Sequence, residues 1–332
     1  MARTADSQPE RGLLERLARG PVSGSVLAHE LGLTRAAVWK RIDGLRDAGI
    51  EIAAGPGHGY RLAQSLELLD AALIRAQLPA GAGAQLDALE VAWTLDSTNS
   101  ELLRRQTPTH GCAVLLAERQ SGGRGRRGRQ WASPLAAHVY LSVARLFEGG
   151  LARLGGLSLV AGVACCDALH ALGHRSVALK WPNDLVLAEG RGLRKLGGLL
   201  VEGGGEAGGA ARAVIGIGIN VRMPQAQADG IDQPWIDLAG MATDTPSRNA
   251  VVAAVLAQLL PALELFDAEG LAPFLSRYAA HDVLRGREVQ VLDAQGSWHA
   301  NVLGIADDGA LRVRDGDGNE RRVHAGDVSV RA

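Results

Sequence analysis

The sequence predicts an α+β protein in three parts: a helix-turn-helix module, an α/β middle and a small antiparallel β tail. Three observations carry this. The first sixty residues show short helical spacings around a Gly turn. Residues 91–221 alternate apolar strand-like runs with an Ala/Leu-rich helix. From Arg287 the chain breaks into short alternating runs separated by DAQGS, ADDG and DGDGN. A chain of 332 residues has room for two or three domains, and we place the bounds at 1–64, 65–284 and 285–332.

In the first part Leu13, Leu14 and Leu17 share helical spacing, and Gly20-Pro21 stops that helix. A second helix covers roughly Ser25 to Leu31, Gly32 makes the turn, and Thr34 caps a third running to about Ala48. Ile50 and Ile52 alternate into a Gly-rich hairpin, and 63–68 read as a linker. On the third helix Val38, Ile42 and Leu45 share the inward face. Ala36, Ala37, Lys40 and Asp43 point outward, Arg35, Arg41 and Arg46 flank them, and Trp39 lies at the edge. Small residues at a helix start let a groove come close, and long basic side chains reach phosphates. Arg35, Ala36, Lys40 and Arg41 are therefore the DNA-binding candidates, with His58 and Arg61 on a wing. Nine basic against seven acidic residues in 1–64 is weak electrostatics, so a protein-interaction domain with a solvated basic face is the alternative.

In the middle, Val91–Leu95 reads as a strand followed by a helix from Thr98, and Cys112–Ala117 as an apolar strand. Val139, Leu141 and Val143 alternate as a half-exposed strand, and Leu154–Leu172 is a long helix. Strands follow at Val177–Leu179, Leu185–Leu187, Leu196–Val201 and Ala213–Val221, then helices at about 247–268 and 271–279. Pro261 should kink or split the first of these. The tail has the pattern of a small antiparallel barrel or sandwich.

Composition removes several classes. With 35 basic and 36 acidic residues the chain is neither histone-like nor acid-tailed, and 47% hydrophobic residues exclude global disorder. Cys112, Cys165 and Cys166 make neither a disulfide framework nor a metal spacing, which fits a reducing cytoplasm. MARTADSQPERG lacks the apolar core of a secretory signal, and Val251–Phe266 reads as a buried helix rather than a membrane span. His170 and His174 stand four apart without the zincin Glu, and read as surface residues. No metal held by protein ligands alone is expected.

The strongest chemical signal runs from Glu118 to Trp131. Five arginines fall within eleven residues, interleaved with four glycines, directly after a strand. Glycine permits close backbone approach to an anion, and arginine supplies planar donors for phosphate or carboxylate. A nucleotide or acyl-phosphate clamp fits best; an RGG-like nucleic-acid segment and a solvated basic loop are the alternatives. The Walker A spacing is absent.

Asp96-Ser97-Thr98-Asn99, GRGRRG, Lys180-Trp181-Pro182-Asn183-Asp184, Lys195-Leu196-Gly197-Gly198 and Gly216-Ile217-Gly218-Ile219-Asn220 follow in order at strand ends. This set resembles the biotin–protein ligases. The preceding helix-turn-helix makes it similar to the bifunctional bacterial members that also repress biotin-synthesis genes. The resemblance spans about Leu13 to Arg331 and implies a winged helix-turn-helix, a central mixed-sheet α/β ligase domain and an SH3-like C-terminal barrel. It implies ATP, biotin and Mg²⁺, a biotin carboxyl carrier protein as acceptor, operator DNA, and a homodimer when adenylate is bound.

The resemblance also implies residues. Lys180, Arg126, Lys195 and Asp184 would carry the chemistry. Ser97, Thr98, Asn99, Gln120, Arg124, Gly125, Arg126 and Lys180 would hold biotin, and Arg124, Arg126, Arg129, Trp131, Lys180 and Asn220 the adenylate. The residue types agree, because two anions must meet in such a site. Thr98 also fits a capping box with Glu101, Trp131 fits ordinary core packing as well as a pocket wall, and Asp184 fits a plain turn. Two other functions share these features: a non-catalytic ligand-sensing transcription factor, and a lipoate-type ligase. Lys180 with the arginine loop speaks against the first, and GRGRRG followed by KWPND against the second.

Overall fold

A computed structural model of the protein describes residues 7–331 apart from 56–58, 191, 206–208, 229, 242–244, 294–295 and 326–328. His58, assigned to the wing, lies outside the described residues.

The N-terminal module consists of α1 (Ser7–Ala18), α2 (Gly24–Glu30), α3 (Arg35–Asp47) and an antiparallel ribbon of β1 (Ile52–Gly55) and β2 (Gly59–Leu62). The cap and the turn act as expected. The Thr34 hydroxyl accepts from Ala37 N at 3.1 Å, and Gly32 takes φ +63° in the turn before it. Leu13, Leu14, Leu17, Leu27, Val38, Ile42 and Leu45 form its core. Trp93, Leu135 and Ala136 from the middle of the chain complete that core, and Trp93 Nε1 donates to Glu10 at 3.4 Å.

Two short helices, α4 (Ala71–Ala76) and α5 (Ala80–Ala84), precede the sheet; five or six residues carry too little periodicity to stand out in sequence. Then come β3 (Leu86–Leu95), α6 (Thr98–Arg104), β4 (Cys112–Gln120), β5 (Val139–Phe147), α7 (Leu157–Ala171), β6 (Val177–Lys180), β7 (Asp184–Glu189), β8 (Gly192–Gly205) and β9 (Ala211–Ile219). The seven strands lie in the order β3-β4-β5-β9-β8-β7-β6, with β3 and β4 parallel and the rest antiparallel, so the sheet is mixed as expected. After α8 (Gln225–Ala228) come α9 (Arg248–Glu269) and α10 (Ala272–His281).

The sheet is covered on both faces. Helices α7 and α9 bury one side, and α6 closes part of the other through Leu102, Leu115, Ala144 and Val214. This corrects the half-exposed reading of β5: Tyr140, Ser142 and Ala144 are as buried as Val139, Leu141 and Val143, because the second face is the α6 side rather than solvent. Pro261 does not split α9. It sits on the exposed side, where the Ala257 carbonyl whose donor it removes is within reach of water. By length and composition α9 could cross a membrane, yet its side chains fill the core beside α7.

The tail forms β10 (Glu288–Asp293), β11 (Gly296–Ile305), β12 (Leu311–Asp315), β13 (Glu320–Val323) and β14 (Ser329–Arg331), in the order β13-β12-β11-β10-β14. The fold is SH3-like, but among the described residues β13 and β14 do not pair, so the expected barrel is an open sheet. It docks on the middle domain where Trp181 Nε1 donates to Gly309 O at 3.1 Å.

Candidate active site

Register explains how distant motifs meet. Residues directly opposite in antiparallel strands share a face. Tyr140 pairs with Gly218, Gly218 with Gly198, Gly198 with Asp184 and Asp184 with Lys180. A single row across β5, β9, β8, β7 and β6 therefore puts Lys180 and Asp184 beside two glycines, on the α6 side. A bulge where Leu196 interrupts the β7–β8 pairing lets Lys195 join them: its Nζ lies 2.7 Å from Asp184 Oδ1 and 5.4 Å from the Trp131 ring centre. Trp131 packs against the glycines. A Cβ on Gly218 would stand 2.6 Å from its Cε2, and one on Gly198 3.4 Å from its Cζ3. Trp131 is thus a wall of this hollow rather than a deep core residue, and Asp184 holds Lys195 rather than merely closing a turn.

The neighbouring row, Ser142–Gly216–Leu200, carries the second cluster. The α6 cap is Ser97, whose Oγ accepts from Ser100 N at 3.4 Å; this corrects the capping box assigned to Thr98 and Glu101. Freed from capping, the Thr98 hydroxyl meets Gln120 Oε1 at 3.2 Å and Ser142 Oγ at 2.7 Å. Gln120 Oε1 also accepts from Thr98 N at 2.8 Å. Asn99 Oδ1 lies 2.6 Å from Ser142 Oγ, and its Nδ2 donates to Leu200 O and to Glu202 Oε2 at 2.9 Å. Asp96 of the same motif is committed elsewhere: hydrogen bonds from Arg104 hold its carboxyl at about 2.

The arginine loop begins later than its sequence suggests, because Glu118 and Arg119 still belong to β4. It folds on itself: Gly125 N donates to Arg129 O at 2.7 Å, Trp131 N to Gly123 O at 2.9 Å, and Arg127 and Gly128 both take positive φ. Arg124 pairs with Glu202 at 2.7 Å, next to Asn99. Arg126 reaches the other row, donating to Asn183 Oδ1 at 3.3 Å and to Ala325 O of the tail. Burial, then the neighbouring arginines, lowers its guanidinium pKa, while Asp184 opposes this. A cleft lined by Arg126, Trp181, Asn183, Gly309 and Ala325 opens beside it.

Not every candidate joins. Arg129 is exposed and closes the loop through its carbonyl. Asn220 is buried, and its Nδ2 donates to Ile236 O at 3.1 Å, tying β9 to the 235–238 segment. Arg35, Ala36 and Lys40 are exposed on α3 of the N-terminal module, with Arg41 partly covered and Trp39 58% exposed. Arg46, counted among the flanking basic residues, spends its guanidinium on Ile52 O at 2.9 and 3.1 Å. Two residues escaped the sequence reading, Ser142 and Glu202. Their signal was a lone polar residue inside VYLSVARLF and a carboxylate at the end of LGGLLVEG.

Family models match three stretches: an HTH domain over residues 10–61, the biotin/lipoate A/B protein ligase family over 91–220, and the biotin protein ligase C terminal domain over 285–331. The bifunctional ligase/repressor BirA of Escherichia coli K12 is 41% identical over 323 residues, covering 96% of each chain. The biotin–[acetyl-CoA-carboxylase] ligase of Mycobacterium tuberculosis is 35% identical, over 78% of this chain and 95% of that one. Among solved structures, the Aquifex aeolicus biotin protein ligase in complex with biotin and ATP superposes with a TM-score of 0.62 at 25% identity. That match covers 74% of this chain and 99% of the other. With its order of modules and this near-full-length similarity, this chain belongs to the biotin–protein ligase family, in the bifunctional ligase/repressor branch.

Proposed function

We propose that this protein activates biotin with ATP and transfers it to a lysine of a biotin carboxyl carrier protein, and that it also represses transcription in response to biotin. The carrying observation is the meeting of Lys180, Asp184, Lys195 and Arg126 with the Ser97–Asn99, Gln120 and Ser142 cluster on one face of one sheet. In the first step the biotin carboxylate oxygen attacks the α-phosphate, pyrophosphate leaves, and biotinyl-5′-AMP forms. In the second the acceptor amine attacks the anhydride carbonyl, and AMP leaves with the electron pair.

Each residue has a part. Ser97, Thr98, Asn99 and Gln120 bind the polar ring, with Ser142 fixing two of them. Gly125 lets the loop backbone close in. Arg124 and Arg126 cover the adenylate beside Trp131, while Arg129 closes the loop through its carbonyl and Asn220 ties β9 to the 235–238 segment. Lys180 and Lys195 neutralise carboxylate and phosphate where they meet, and Asp184 orients Lys195. Mg²⁺ would travel on the triphosphate: the nearby carboxylates Asp184 and Glu202 are already paired with Lys195 and Arg124. The three cysteines are free thiols, which suits a cytoplasmic location.

Exchange of labelled pyrophosphate into ATP tests the enzyme. It should require biotin and fail with lipoate; no exchange with biotin present would overturn the assignment. Gly216→Ala should weaken biotin binding about tenfold or more, because its Cβ would collide with Asn99 Oδ1 and displace a buried hydrogen-bonded amide. Gly204→Ala, with open space at its Cβ, should bind biotin like the parent in calorimetry. Unchanged affinity in Gly216→Ala would remove Asn99 from the biotin site.

For DNA, the exposed Arg35 and Lys40 are phosphate-binding side chains. The double alanine variant should bind duplexes more weakly across all sequences, with the salt slope reduced by about one for each phosphate no longer neutralised. Pyrophosphate exchange should stay unchanged, because α3 lies outside the sheet. A salt slope equal to the parent's would favour a protein-binding role for this face. One recognition helix per chain suits a two-fold dimer on a palindrome. Sedimentation with biotin and ATP should show mass doubling; an unchanged monomer mass at high concentration counts against it.

A further inference from the structure

At the far end of β6 from Lys180 lies a cluster the ligase reaction does not use. Cys166 and His170 stand one turn apart on α7, and His281 closes α10; one donor atom from each falls within 4.8 Å of the others. Cys166 Sγ is 3.6 Å from His170 Nε2, and the two imidazole rings meet edge to face at 4.9 Å. Cys166 is buried and the histidines half-buried, so the cluster is enclosed yet reachable.

Its surroundings are those of a metal site. His281 Nε2 lies 2.7 Å from Asp167 Oδ1, and Arg277 grips the other carboxylate oxygen at 2.5 Å. A carboxylate behind an imidazole orients the ring and raises its basicity, the usual outer support of a ligating histidine. The Val177 carbonyl accepts from Cys166 Sγ at 3.3 Å and from His170 Nε2 at 2.8 Å, so its oxygen lies beside both donor atoms and would fill a fourth position once the thiol proton has left and the His170 proton has moved to Nδ1. One thiolate, two imidazoles and one oxygen suit a borderline-soft tetrahedral cation.

We propose that Cys166, His170 and His281 bind a thiophilic divalent cation of the Zn²⁺ type. On binding, the Cys166 S–H ionises, one proton passes to solvent and a metal–sulfur bond forms, with no change of oxidation state. The role is structural. The next residues, Asp282 and Val283, pair with Leu179, Val283 N donating to Leu179 O at 3.0 Å, one residue before Lys180. A metal fastening His281 to α7 therefore braces the strand that presents Lys180. Neither His170 nor His174 is the surface residue expected from sequence: His170 is half-buried and His174 buried. His174 lies beyond the helix end, where its N–H closes the turn onto Leu169 O.

The test uses full-length untagged protein stripped with a chelator and titrated with Co²⁺. We expect a sulfur-to-cobalt charge-transfer band saturating at one equivalent and erased by Zn²⁺. Cys166→Ser should abolish it, Asp167→Asn should weaken Co²⁺ about 10–100-fold, and His174→Gln should leave it intact. No band in the parent protein, or a band that survives Cys166→Ser, overturns the proposal. The parent spectrum decides even if a variant fails to fold.

Discussion

Lys180→Ala is expected to slow biotinyl-adenylate formation about 10²–10³-fold, the usual cost of removing one preorganised charge-stabilising donor from an active site. Lys180 ends β6 opposite Asp184, in the row that continues through Gly198 and Gly218, with Trp131 and Lys195 packed on those glycines. The loss should fall on kcat in pyrophosphate exchange, because the charge matters most when carboxylate and phosphate meet. Lys180→Arg keeps the charge but spreads it over a planar fork and should not restore the rate. Rates within threefold of the parent for Lys180→Ala would place the neutralising charge elsewhere, with Lys195 the first candidate.

The second large effect is on stability. Glu118 and Arg248 form an ion pair at 2.8 Å with side chains 3% and 5% exposed. Glu118 also accepts from Leu69 N at 2.5 Å, and Arg248 donates to His138 O and Glu67 O, so the pair sews the linker to both the sheet and α9. Glu118→Ala strands a buried guanidinium and should cost about 3–5 kcal/mol. That corresponds to a drop in Tm on the order of 10 °C, read by circular dichroism. A shift below about 2 °C would show that water replaces the carboxylate.

Much of this was legible in the sequence where one residue type has one physical use. Val38, Ile42 and Leu45 at helical spacing, with Thr34 able to cap, leave a single way to lay α3 on its core. Lys180, Asp184 and Lys195 came from the family resemblance of KWPND and KLGG, and register shows how those motifs come to share one face. The misreadings arose where a residue has two uses. Ser97 and Thr98 can each cap a helix, and only the fold shows that the first does so, which frees the second for Gln120 and Ser142. Ser142 and Ala144 look like the solvent side of an alternating strand until α6 is laid over them, and Tyr140 until the loop before it brings Pro134 O to its hydroxyl. The glycine floor is spread over β8 and β9, and becomes one surface only through register. His281 meets His170 across 111 residues, a distance no local spacing rule spans.

The placement of α9 bears on how the chain is made. The helix is apolar nearly all round and covers α7, yet it begins at Arg248, after every strand of the seven-stranded sheet. Synthesis runs from the N-terminus, so the helix-turn-helix module and the whole sheet leave the ribosome while the apolar flank of α7 has no cover. Arg248 and Asn249, the first residues of α9, grip Glu118, Glu67 and Leu68 as they arrive. Cover for that flank of α7 therefore comes only with the last long helix, and its first turn is what fastens it to β4 and the linker.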